Sequence, residues 1–115
     1  MIDWGRLCEM HRELGEPEFR TILELFLDEI EAAVRRPAAA GTAEFEAQLH
    51  FLKGSAWNIG LSDFGALCQV CEALAIRGCA DQVDPATLAE CYALSRQVLM
   101  RDLDRMLARG RDAVA

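Results

Sequence analysis

The chain has 115 residues, 52% hydrophobic and 27% charged, with a formal net charge of −7. That length suits one domain, expected over residues 1–115, and the composition suits a folded core rather than a disordered chain. The acidic balance argues against non-specific binding to nucleic acid or anionic membrane, and no apolar run approaches the ~20 residues that a bilayer span needs.

Taken in order, Asp3 to Leu14 read as a short helix with Trp4, Leu7, Cys8 and His11 on one side. Gly15-Glu16-Pro17 breaks it, and Pro17 suits the first turn of the next helix. From there to Arg36, Phe19, Ile22, Leu23, Phe26, Ile30, Ala33 and Val34 form an apolar stripe, with Glu24, Asp28, Glu31 and Arg35 facing water. The acidic run from Asp28 to Glu31 is expected to be a solvated face. Pro37 ends this helix. Thr42 suits an N-cap for a third helix running to about Ile59, and Gly60 is placed to end it in a left-handed conformation.

Ser62 or Asp63 is expected to cap a fourth helix, whose stripe is Phe64, Leu67, Cys68, Cys71, Leu74 and Ala75 and which Gly78 closes. Asp84-Pro85 pairs an N-cap with an N1 proline. The last helix is expected to run to about Arg109, with Leu88, Cys91, Tyr92, Ser95, Val98, Leu99, Leu103 and Met106 inward, and a frayed tail from Gly110. No segment alternates with period two. The expected fold is therefore all-α: an antiparallel up-down-up-down four-helix bundle with a short additional N-terminal helix across one end.

The third helix carries the chemistry. Phe45, Leu49, Leu52, Ala56 and Ile59 make its apolar stripe, and His50 lies roughly 140° away, pointing at solvent. Gly54 follows His50 by four residues on the same outer face, and Lys53 flanks it. A mid-helix glycine costs ~1 kcal/mol against alanine. Here it leaves the imidazole open to an approaching group, beside a fixed positive charge. That combination suits a histidine that accepts a phosphoryl group.

The stretch His50-x-x-Lys53-Gly54-Ser55, followed by Gly60-Leu61, Leu67-Cys68, Cys71-Glu72 and Arg77-x-Cys79, resembles the histidine phosphotransfer (HPt) domain family. The resemblance implies that His50 is the phosphoacceptor, Lys53 its electrostatic support and Gly54 the access residue. Ala47, Phe51 and Trp57 are expected on the partner-binding face, the two aromatics because large rings beside a reactive site often anchor partners. The implied partners are response-regulator receiver domains and a hybrid histidine kinase. Magnesium is expected on the receiver, and the chain itself needs no cofactor or metal. It is expected to be a monomeric carrier and not an enzyme, since no glycine-rich nucleotide loop or kinase signature appears.

Met1-Ile2-Asp3-Trp4 lacks a basic region followed by an apolar one, so the expected location is cytoplasmic. Two other functions fit the same face: the phosphoacceptor module of a chemotaxis-type histidine kinase, and an adaptor that binds receivers without transfer. A dimerisation-type kinase module usually has an acidic residue directly after the histidine, where Phe51 stands here. Cys68-x-x-Cys71 lacks both the βαβ context of a redox motif and the second ligand pair of a zinc site. With Cys8, Cys79 and Cys91 these cysteines read as reduced core residues.

Overall fold

The structure, a computed structural model, describes residues 1–114. Among these the chain forms five α-helices, one 3-10 turn and no strand. Helix α1 spans Trp4–Leu14, and the Asp3 side chain caps it by accepting the Arg6 amide at 3.0 Å. Helix α2 spans Glu18–Arg35 and buries Phe19, Leu23, Leu27 and Ile30. Leu27 was absent from the expected stripe, whereas Ile22 and Phe26 are only half-buried. The buried row steps by four, four and three residues, which turns the helix slightly past the axis drawn from sequence.

Helix α3, Ala43–Asn58, starts at Thr42, whose hydroxyl accepts the Phe45 amide at 3.2 Å. Its predicted stripe of Phe45, Leu49, Leu52, Ala56 and Ile59 is wholly buried. Gly60 follows at φ 78°, and the Asp3 amide donates to its carbonyl at 2.7 Å. A Cβ there would lie 2.8 Å from the Asp3 carbonyl oxygen, so the turn needs glycine for both reasons. Helix α4 spans Ser62–Ile76. The expected cap is corrected here. Leu61 holds the N-cap position with no side-chain bond, the Ser62 hydroxyl donates to the Met1 carbonyl, and Asp63 pairs with the terminal ammonium. Tertiary contact with the N-terminus has taken both side chains away from capping.

The 3-10 turn Ala80–Gln82 was not anticipated. Asp84 then caps α5, Pro85–Val114, by accepting the Ala86 amide at 3.0 Å. The frayed tail is also corrected. Gly110 to Val114 continue the helix, while Ala115 lies outside the described residues. The reason is α1: a Cβ on Gly110 would sit 2.6 Å from the Cys8 sulfur, so a glycine read as a helix stop instead lets two helices meet.

Helix α2 packs on α3 and α5, α4 packs on the same two, and α1 lies against α5 and α2. The molecule measures 50 × 21 × 19 Å. Its core runs along the long axis and includes Phe19, Phe64 and Leu99, with Tyr92 donating its hydroxyl to the Leu27 carbonyl at 2.8 Å. Helices α3 and α4 run antiparallel. His50 meets Glu72, whereas Trp57, two turns further along α3, meets Gly65, two turns earlier in α4.

Candidate functional site

His50 projects from the outer face of α3 with 73% of its side chain exposed, as the helical phase requires. It is nonetheless tethered. Its Nδ1 lies 2.7 Å from Oε2 of Glu72 on α4. The other oxygen, Oε1, accepts a hydrogen bond from the Lys53 ammonium at 2.5 Å. Lys53 and Glu72 are largely buried, with side chains 19% and 12% exposed. The Lys53 ammonium, foremost, holds the Glu72 carboxyl below the usual carboxylate range; burial opposes this and the His50 ring adds to it.

An ionised carboxylate only accepts hydrogen bonds, so the proton between the two groups is assigned to Nδ1. In the neutral ring, Nε2 then carries the lone pair and faces away from the carboxylate. The arrangement presents one defined, unprotonated nitrogen to solvent. Sequence reasoning assigned no role to Glu72, although a signal existed. Glu72 falls on the buried row of α4 between Cys68 and Ala75, and a carboxylate on an apolar row requires partners.

Gly54 leaves open space one turn beyond His50: a Cβ there would meet nothing within 4 Å. Trp57 lies seven residues past His50, roughly 20° round the helix and about 10 Å along it. The imidazole and indole thus bound a bare stretch of backbone. The indole is 42% exposed and Phe51 is 40% exposed. Ala47, one turn before His50, is exposed too. At Gly65 a Cβ would collide with the Trp57 ring atoms Cδ1 and Nε1, so the ring lies directly on the α4 backbone. The Lys53 ammonium is 5.9 Å from the indole centroid, within cation–π range. Arg6 of α1 ties down the end of α3, donating from Nε to the Asn58 carbonyl at 3.0 Å and from Nη2 to its side-chain oxygen at 2.9 Å. A cation there also complements the negative end of the helix dipole.

His11 has none of these surroundings. It is half-buried, with its ring edge against Phe19 at 5.1 Å and Nε2 at 3.2 Å from Glu16. All five cysteines are free thiols. Burial, helped by neighbouring Cys71 and Cys91, pushes the Cys68 thiol up to about 12, and burial also raises Cys71 and Cys91. These three are poor nucleophiles. No cluster among the described residues could hold a metal ion. A groove of about 460 Å³ between α2 and α5, lined by Glu31, Tyr92, Arg96 and Met100 among others, includes none of the residues around His50. No described helix is long and apolar enough to cross a membrane.

Comparison with curated proteins and with solved structures finds no match. A family model described as Hpt domain matches residues 18–113, from the start of α2 almost to the end of α5. With most of its length matched, and with a tethered, outward-facing histidine on its third helix, the chain belongs to the Hpt domain family of histidine phosphotransfer modules, phosphocarriers rather than kinases.

Proposed function

We propose that this protein relays a phosphoryl group between aspartates of response-regulator receiver domains, through a phosphohistidine at His50. The observation that carries this reading is the contact of Nδ1 with Glu72, which leaves Nε2 as the free nucleophile on an exposed ridge. The Nε2 lone pair attacks the phosphorus of a receiver's aspartyl phosphate. The Nε2–P bond forms as the P–O bond breaks, and the aspartate carboxylate leaves on the receiver. The ring keeps its Nδ1 proton and becomes cationic, and the Glu72 carboxylate beside it stabilises that charge. Transfer to a second receiver reverses these steps.

The receiver brings the magnesium ion that neutralises the phosphoryl oxygens; the chain needs no nucleotide or metal of its own. Lys53 supports the site electrostatically. With its ammonium engaged by Glu72, that support passes mainly through the carboxylate. Gly54 and Ala47 form the floor on which the receiver lands, and Phe51 and Trp57 provide apolar contacts beside it. In this reading residues 1–115 act as one monomeric cytoplasmic module, with the four long helices arranged up-down-up-down. A hybrid kinase's receiver is a fitting donor.

The test is incubation with a panel of phosphorylated receiver domains from the same cell. Acid-labile, base-stable phosphate on the chain, chased off by a second receiver, is the expected result. A chain that binds receivers and never carries phosphate is an adaptor instead. Gly54→Gln examines the landing surface. The open space at Gly54 accommodates the new Cβ, and replacing glycine removes a helix penalty of up to ~1 kcal/mol. The melting temperature should hold or rise while transfer falls at least about tenfold, because the longer side chain stands one turn from the imidazole. Melting and transfer are to be measured on one sample.

A further inference from the structure

The Trp57 indole is anchored on two sides. Beneath it is Gly65, where no side chain intervenes and where even a methyl group would displace the ring. Beside it is the Lys53 ammonium, 5.9 Å from its centroid. Lys53 in turn holds Oε1 of Glu72, whose Oε2 holds His50. We propose that Trp57 is a positioning residue: seated on Gly65, it keeps Lys53 on Glu72 and thereby keeps Glu72 set against His50. The functional consequence rests on His50 as the phosphoacceptor; the positioning itself does not.

The physical case is one of competing environments for an ammonium group. A lysine ammonium is strongly hydrated and its four-carbon stem is flexible. On an open surface it would exchange its carboxylate partner for water at little cost. Here the ammonium lies 5.9 Å from the indole centroid, and the side chain is only 19% exposed. Shielding from water strengthens the ion pair, and the ring quadrupole attracts the cation. Two donors, one on each oxygen, prevent the Glu72 carboxylate from rotating. Releasing Lys53 removes one of them, and Nδ1 then faces a mobile acceptor.

Gly65→Ala is the discriminating variant. It lies on α4, removes no core atom, and displaces a half-exposed ring that can swing outward. Phosphoramidate is the phosphodonor, because a molecule of that size makes no docking contact with Trp57. The Nε2–P bond forms as the phosphoramidate P–N bond breaks and ammonia leaves. The second measurement is the exchange protection of the Lys53 ammonium by nitrogen-15 NMR. Trp57→Ala and Gly65→Ala should both lose the protected ammonium signal and slow phosphorylation roughly fivefold, a coupling typical of side chains in one network. Trp57→Phe should restore most of both. The double variant should be no slower than Trp57→Ala alone, since both changes disrupt the same element.

Survival of the ammonium signal in Gly65→Ala, or additive losses in the double variant, would overturn the proposal. So would a defect seen with receivers but absent with phosphoramidate, which would make Trp57 a docking contact only. If no receiver phosphorylates the unaltered protein, the relay reading fails, while the ammonium signals still decide whether Trp57 positions Lys53.

Discussion

His50→Gln should abolish phosphate uptake from receivers and from phosphoramidate while leaving the melting temperature nearly unchanged. The side chain is 73% exposed and lies outside the core, so its replacement costs the fold little, within about 0.5 kcal/mol for an ordinary surface position. Glutamine is chosen because its amide can still donate to Glu72, so the carboxylate keeps a second donor. The other histidine and the buried thiols are poor substitutes for Nε2. His11 is half-buried and bound to Glu16, and the thiols of Cys68, Cys71 and Cys91 are held protonated by burial. The loss should therefore reach the detection limit of the assay. Phosphate that persists in His50→Gln and disappears in His11→Gln would move the acceptor to the other histidine.

Glu72 carries the second large effect, on rate and stability together. Glu72→Ala removes the acceptor that orients Nδ1 and leaves Lys53, on its mostly buried stem, without its carboxylate. Transfer should fall at least about tenfold, on the scale seen for carboxylates that orient a metal-ligating imidazole. Stability at neutral pH should fall by about 1–3 kcal/mol, the usual scale for losing a charge-assisted hydrogen bond. Glu72→Gln separates the two effects. Its carbonyl can still accept from Nδ1, so it should transfer better than Glu72→Ala while losing the charge pairing with Lys53.

The pH dependence has a definite sign. The folded-state carboxyl sits below its ordinary value, so its contribution is fully present above the unfolded-state value near 4.5. It is lost as pH falls through the lower, folded-state value. Denaturant titrations should therefore show the unaltered protein losing more stability than Glu72→Gln in that acid window. Parallel losses in the two proteins would remove Glu72 from the acid-sensitive set.

The helices, the outward phase of His50 and the bare patch at Gly54 were all legible in the sequence. Each depends on spacing along a single helix, and apolar periodicity reports that directly. The stripe on α3 was read residue for residue, and that stripe is what turns His50 outward. Tertiary structure decided everything that needed a second helix. Which residue of α4 stands opposite His50 depends on the tight turn through Gly60 and on how α3 and α4 slide against each other, and neither is written in the period of either helix. Glu72 belonged to the family resemblance but had no role until that register placed it between His50 and Lys53. Gly65 carried no assigned purpose until the indole was found resting on it, and Gly110 marked the expected start of a frayed tail until Cys8 was found against it. A glycine in sequence says only that a side chain is missing. Whether the missing atom makes room for a turn, a partner or a neighbouring ring is decided by what the fold brings within about 4 Å of it.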